Sequence, residues 1–185
     1  MIPRIMDDGK LIDNILNIDG VSAAEKHNGI FVTAKVREFA NSDFDMNTVF
    51  YGLDEERTLN LLDVSEYSEK SDDTVYIPLF MKELSGFAEG GDIAYSIGGE
   101  EYSFKIGGIV SEMQYGNYGT GLIGGYFPTA AYEKLADEQE KHLIIEYSLK
   151  CADHADLLHV KNAVNDILSD KGIAVLSIND KDASK

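Results

Sequence analysis

The sequence has a single cysteine, Cys151, few basic residues and no long apolar run. One cysteine excludes an internal disulfide, which fits a cytosolic protein and equally an exported domain that is large enough to fold without such bonds. No apolar run approaches the roughly 20 residues with which a helix crosses a bilayer. We therefore expect a soluble domain, either free-standing or part of a longer protein.

Positive charge is scarce: 16 Lys and Arg stand against 33 Asp and Glu, and the formal net charge at pH 7 is -17. Proteins bind nucleic acid through Lys and Arg side chains that contact the phosphates. The negative net charge therefore excludes nucleic acid as a partner and argues against binding to anionic membrane surfaces. An acidic surface could attract cationic ligands, but we favour solubility as its purpose.

Common catalytic signatures are also missing, because the sequence has no G-x-S-x-G, H-E-x-x-H or Walker A motif. Gly119 to Gly124 matches G-x-G-x-x-G, but loop residues separate these glycines from the preceding strand and from the next helix. A dinucleotide site needs a direct strand-to-helix junction. We therefore predict that Ser111 to Gly125 forms a glycine-rich loop.

One acidic segment resembles part of a calcium-binding loop. Asp43, Asp45 and Asn47 resemble the first ligands of an EF-hand, but Thr48 replaces the required glycine and Asp54 the bidentate glutamate, so we expect an Asx-rich turn before a strand.

Cys151 and His154 lie three residues apart at a strand-to-helix junction. Two residues complete neither a nucleophilic site nor a zinc site. The sequence thus predicts no catalytic residue, no cofactor site and no metal site.

Hydrophobic periodicity predicts alternating helices and strands. In the segment around which the chain is organised, the expected elements are strand Val75–Phe80, helix Met81–Glu89 ending on Gly90–Gly91, a hairpin turning at Gly98–Gly99, and a bulge at Gly107–Gly108. Elsewhere they are a first helix from Asp7 or Asp8 to Ile18, strands Val21–Lys26 and Ile30–Arg37 joined by a hairpin at His27–Gly29, strand Thr48–Leu53, helix Ala130–Leu135, strand His142–Lys150, a helix from Asp153 or His154 to Asp170, and strand Ile173–Ile178.

This order predicts an α+β fold with two lobes. Residues 1–57 and 142–185 form a split α/β lobe, and residues 58–141 form an inserted, mainly β lobe. In particular, we expect Leu11–Ile18 and Leu157–Leu168 to pack together.

The segment VYIPLFMKELSGFAEGGDIAYSIGGEEYSFKIGGIVSE resembles the extracytoplasmic core domain of MacB/FtsX-type ABC-transporter permeases. Three flanking segments are similar to other parts of that domain. Asn17–Ser22 resembles a helix end and strand entry, with Asp19 where the family has proline; Tyr126–Thr129 resembles the strand before a short helix, and His142–Leu168 the late strand and long helix.

The resemblance implies a porter-like lobe made from both chain ends and an inserted β lobe, placed between two membrane helices on the extracytoplasmic face of a bacterial membrane. It implies a non-enzymatic domain that transmits conformational change from the membrane helices and docks an external protein, peptide or substrate. ATP hydrolysis would belong to a separate ATP-binding subunit.

Met113, Tyr115 and Tyr118 are candidate partner contacts, because aromatic residues and methionine are enriched at interfaces; they could equally fold back onto the middle sheet. The alternative function is a free-standing small-molecule binding protein or enzyme that uses Gly116–Gly125 as a lid over a pocket.

Overall fold

The computed structural model describes residues 2–3, 7–53, 72–110 and 122–173. The strands in these ranges are β1 (Ile2–Pro3), β2 (Val21–Phe39), β3 (Ser42–Leu53), β4 (Thr74–Pro78), β5 (Asp92–Ile97), β6 (Glu100–Val110), β7 (Leu122–Pro128) and β8 (Leu143–Cys151). The helices are α1 (Leu11–Leu16), α2 (Leu79–Ser85), α3 (Thr129–Glu138) and α4 (Leu157–Asp170), with a 3-10 turn at Glu140–His142. Mixed strand pairing together with these helices confirms the predicted α+β class.

The described residues form two compact units. The terminal unit takes the described residues of Met1–His27 and Ile144–Lys185, and the central unit takes those of Asn28–Leu143. The two are joined along the chain by β2, which begins in the terminal unit and continues into the central unit without interruption.

In the terminal unit, β8 lies between β1 and the first part of β2. β1 pairs antiparallel with β8, Ile2 opposite Ile145. Both helices of this unit place one apolar face in a shared hydrophobic cluster, which contains Ile2, Leu11, Ile15, Ile18, Val160, Val164, Leu168 and Ile173. The expected packing of Leu11–Ile18 with Leu157–Leu168 is confirmed.

In the central unit, six strands close into a ring in the order β2-β3-β7-β4-β6-β5. The closing contact is the antiparallel pairing of β2 with β5, in which Ala34 lies opposite Ile97. Two pairs within the ring, β3 with β7 and β4 with β6, are parallel. A closed ring leaves these strands without an open edge between them.

The core of the central unit is built around the aromatic rings of Phe50, Tyr95, Phe104 and Phe127. Phe50 and Tyr95 meet edge to face at a centroid distance of 4.9 Å, and Phe104 and Phe127 do so at 4.9 Å. Each such pair contributes about 0.5–1.5 kcal/mol beyond the area that it buries. α3 adds Tyr132 and Leu135 to the same cluster.

The hairpin between β5 and β6 has the predicted turn. Ile97 pairs with Glu100, and Gly98 and Gly99 both have positive φ, +63° and +97°. The predicted bulge is also confirmed, because the register of β6 against β4 skips Gly107: Val75 pairs with Ile106 and Tyr76 with Gly108. A Cβ at Gly107 would lie 2.5 Å from Cγ2 of Thr74, so this close approach needs glycine.

The predicted hairpin at His27–Gly29 is wrong, because β2 runs straight through these residues. A two-residue hairpin turn requires positive φ at its central residues, and neither Asn28 nor Gly29 has it. Gly29 instead pairs with Tyr51 of β3. The turn that reverses the chain lies at Ala40 and Asn41, with φ of 50° and 68°.

The second helix is α2, Leu79–Ser85, and so ends four residues before the predicted Glu89. Gly86 ends it in the left-handed conformation, and its amide donates to the carbonyl of Lys82. The fourth helix starts later than expected, at Leu157, with Asp156 as its N-cap. The predicted strand Ile173–Ile178 lies outside the described residues, apart from Ile173.

The compact units divide the chain at other points than the predicted lobes, since residues 28–53 lie in the central unit. The physical reason is strand pairing: β3 is held by β7, and β2 by β5. The lobe boundaries at residues 57 and 142 stay a prediction.

Candidate functional site

The predicted partner contacts Met113, Tyr115 and Tyr118 lie outside the described residues. The same holds for Gly116–Gly121, most of the proposed lid. The contacts and the alternative small-molecule function therefore stay predictions.

Of the G-x-G-x-x-G match, the structure places the last glycine, Gly124, which corrects part of the predicted loop together with the following Gly125. Residues 122–125 belong to β7, which runs parallel to β3. The carbonyl of Gly124 accepts a hydrogen bond from the Tyr95 hydroxyl at 2.5 Å. A Cβ at Gly124 would lie 2.2 Å from Oγ1 of Thr48, and one at Gly125 would lie 2.5 Å from Cγ2 of Val75. These glycines allow neighbouring strands to pack closely. The abundance of glycine in the sequence predicted a loop, although Gly124 and Gly125 belong to a strand.

Asp43, Asp45 and Asn47 also lie in a strand, because β3 begins at Ser42; the expected turn before the strand is wrong. The guanidinium of Arg37 donates to the carboxylates of Asp43 and Glu101. These hydrogen bonds lower the pKa of both carboxyl groups. Asn47 accepts a hydrogen bond from the Thr33 hydroxyl at 2.8 Å. Asp43 and Asn47 are therefore engaged in contacts between neighbouring strands within the central unit.

His154 lines a cleft of about 530 Å³ in the terminal unit, together with Asp19, Gly20, Ala152, Asp153, Ala155, Asp156 and His159. Cys151, the residue before this stretch, is half-buried at the end of β8. The cleft forms where two connections meet: the amide of Ala152, after β8, donates to the carbonyl of Gly20, before β2, at 2.8 Å.

The carboxylate of Asp156 in this cleft has a structural task. Its Oδ1 accepts hydrogen bonds from the amides of Leu158 and His159, at 3.0 and 3.1 Å, and so caps α4. Although three aspartates and two histidines line the cleft, no group of three such side chains in the described part of the chain converges as a metal site would require.

A second polar cluster ties the N-terminal segment to the rest of the terminal unit. Oδ2 of Asp7 lies 2.5 Å from Nζ of Lys26 on β2, and Oδ1 accepts from the Tyr147 hydroxyl on β8 at 3.2 Å. Beyond the end of α4, Nζ of Lys171 lies 2.5 Å from Oδ2 of Asp8.

These contacts change the pKa values of Asp7 and Tyr147. Burial alone would raise the pKa of Asp7, but the hydrogen bonds from Lys26, the Gly9 amide and Tyr147 lower it below its usual value. Burial and the nearby charge of Asp7 raise the pKa of Tyr147.

No family model matches the sequence, and no curated relative matches it. The solved structures that are similar to this one include the following three. A domain of a permease protein from Porphyromonas gingivalis has 12% identity and a TM-score of 0.44, with 84% of this chain and 72% of that chain covered. The periplasmic region of MacB from Actinobacillus actinomycetemcomitans has 14% identity and a TM-score of 0.43, with 89% and 74% covered. The extracellular domain of the ABC-type transporter YknZ from Gram-positive bacteria has 14% identity and a TM-score of 0.43, with 89% and 84% covered.

The resemblance to MacB-type extracytoplasmic domains stays a prediction, because each of these three structures has a TM-score below 0.5. Two of the three neighbours are extracytoplasmic domains, one periplasmic and one extracellular. In the described ranges of this chain, no helix is both long and apolar enough to span a membrane.

The cleft and the Asp7 cluster were missed from the sequence, because each joins residues more than a hundred positions apart. Asp7 and Tyr147, or Gly20 and Ala152, share no local motif. The one usable signal was Asp156 before Leu157, an N-cap residue followed by the apolar stripe of a helix.

Proposed function

We propose that this chain is a non-enzymatic extracytoplasmic domain of a bacterial ABC-transporter permease, which transmits conformational change from the membrane helices to an external partner or substrate. The other partners under this proposal are the membrane helices of the permease and a separate ATP-binding subunit, which hydrolyses ATP.

One observation carries the proposal: segments from both ends of the chain share one hydrophobic core. Leu11 and Ile15 of α1 pack in the same cluster as Val160 and Val164 of α4, and β1 pairs with β8. A domain inserted between two membrane helices needs both of its ends fixed in one body, since a displacement of the helices would otherwise be absorbed by loose connections.

The polar contacts of the N-terminal segment support the same function. Asp7 is held by Lys26 and Tyr147, and Asp8 is held by Lys171. Together with the β1–β8 pairing, these contacts couple the start of the chain to β2, β8 and the end of α4. A pull on the N-terminal segment would therefore move the terminal unit as a whole.

The location is tested by thiol labelling of the full-length protein in intact cells. Cys151 and any cysteine outside these 185 residues are replaced by serine, and Leu84, which is 61% exposed on α2, is replaced by cysteine. We expect a membrane-impermeant maleimide to label Leu84→Cys without lysis and to leave Cys151→Ser alone unlabelled. Labelling of Leu84→Cys only after lysis would place the domain in the cytoplasm and overturn the proposal.

For the external partner, we propose Met113, Tyr115 and Tyr118 as contacts. Replacing Tyr115 and Tyr118 together with serine should abolish complex formation with the partner and leave the melting temperature nearly unchanged. Pull-down and thermal unfolding measure the two effects. A large fall in melting temperature would mean that these tyrosines belong to the core.

A further inference from the structure

The first turn of α4 exposes two adjacent leucines. Leu157 is 49% exposed and Leu158 is 66% exposed, although both follow a helix cap that fixes their backbone. Leu157 lies three residues before Val160 and seven before Val164, so it extends the stripe that α4 buries in the terminal unit. Isolated exposed leucines are common on protein surfaces, but here two are consecutive on an ordered turn.

These leucines are next in sequence to residues that line the cleft of about 530 Å³ described above. Asp156 precedes Leu157 and His159 follows Leu158, and both Asp156 and His159 line the cleft. The turn between α1 and β2 also lines the cleft through Asp19 and Gly20, and a Cβ at Gly20 would lie 3.1 Å from Cβ of Ala155. The two exposed leucines and the concave cleft therefore lie next to each other within the terminal unit.

The negative charge of the cleft indicates which kind of partner would bind there. Asp19, Asp153 and Asp156 line it, and none of its lining residues in the described part of the chain is Lys or Arg. The chain as a whole carries a net charge of -17. Like charges across an interface are unfavourable, which argues against a second copy of this chain and against an anionic lipid surface. Opposite charge on the partner would be stabilising.

We propose that Leu157, Leu158 and the adjoining cleft, together called the α4 surface, dock a basic amphipathic segment of a partner protein. The apolar side chains of that segment cover Leu157 and Leu158, and its lysines or arginines face Asp19 and Asp153. The function proposed above assigns no partner contact to the terminal unit, so this docking surface goes beyond it and can fail independently.

The test uses a labelled helical peptide of leucine and lysine, about five turns long, with leucines on one face, and a scrambled peptide of the same composition. Binding to the full chain is measured by fluorescence anisotropy at low and at physiological salt. We expect Leu157→Ser/Leu158→Ser to weaken binding of the amphipathic peptide about tenfold or more. Asp19→Asn/Asp153→Asn should weaken it and reduce its salt dependence.

The matched control is Leu84→Ser, which removes a leucine of similar exposure from α2 of the central unit and should leave binding unchanged. The single variant Leu158→Ser, at the more exposed position, should keep the wild-type melting temperature and still weaken binding.

Four outcomes would overturn the proposal. The scrambled peptide could bind equally well, which would reduce the effect to net charge. The leucine variants could bind like the wild type. The wild type, but not the leucine variants, could bind zwitterionic vesicles in place of the peptide, which would make the α4 surface a lipid contact. The wild type could be a dimer in sedimentation that the leucine variants dissociate, which would make it a contact between copies of this chain.

Discussion

Asp7 shows how one residue can be stabilised in its charged form by its surroundings. Its side chain is only 5% exposed, yet its carboxylate has Lys26 at 2.5 Å and accepts hydrogen bonds from the Gly9 amide and the Tyr147 hydroxyl, both at 3.2 Å. A carboxylate that is removed from water keeps its charge only when such partners replace the water. These partners connect the N-terminal segment to β2 and β8 and keep the pKa of Asp7 below its ordinary value.

Replacing Asp7 with asparagine should destabilise the terminal unit by about 1 kcal/mol at pH 7, the upper range for an ion pair with a partly exposed lysine. The pKa of Asp7 is lower in the folded protein than its ordinary value of 3.8, so its stabilisation is complete above pH 3.8 and is lost as pH falls through the folded pKa. The difference between wild type and Asp7→Asn should be constant from pH 7 to 5 and shrink towards pH 3. Urea unfolding measures it.

The matched control is Asp8→Asn, because Asp8 pairs with Lys171 at the same distance but its side chain is 50% exposed. We expect a smaller loss of stability for it at pH 7. An Asp7→Asn loss that persists undiminished at pH 3 would show that packing of the side chain matters and its charge does not.

Among the helices, strands and turns, the turn that depends only on its own residues could be predicted from the sequence. Gly98–Gly99 has positive φ at both turn residues, and only glycine adopts this at no cost, so the β5–β6 hairpin was readable. The turn between β2 and β3 could not be predicted in this way, because Ala40 adopts a φ of 50° although alanine has no preference for positive φ. That conformation is imposed by pairing on both sides, and the Ala40 amide donates to Oγ of Ser85.

Asn28–Gly29 is the converse case, a strong local signal that tertiary structure overrides. Gly29 pairs with Tyr51, and on either side of it His27 and Ile30 are fully buried. A turn at this place would break the β2–β3 pairing and expose both side chains. The gain from pairing and burial exceeds the modest preference of an Asn-Gly dipeptide for a turn.

For the whole molecule, the α+β class and the packing of both ends together followed from the order of elements, but the closed ring did not. The ring depends on β2 pairing with β5, where Ala34 lies opposite Ile97, 63 positions further along the chain, and on the pairing of β4 with β7 at Tyr76 and Tyr126. Hydrophobic alternation gives the face of a strand and says nothing about its neighbour. The candidate cleft was hidden for the same reason, since it joins residues 19–20 to residues 152–159.

The division into a terminal and a central unit predicts separate losses of stability. Ile15→Ala removes a side chain that is 2% exposed in the core of the terminal unit, and Ile30→Ala removes one that is fully buried in the core of the central unit. Each should cost about 2–5 kcal/mol, because a buried isoleucine leaves a cavity. By native-state hydrogen exchange, Ile15→Ala should lower amide protection mainly in α1, β1 and α4, and Ile30→Ala mainly in β3, β5 and β6. Equal loss throughout the chain in both variants would mean that the two units unfold as one, and the central unit would then have no independent stability.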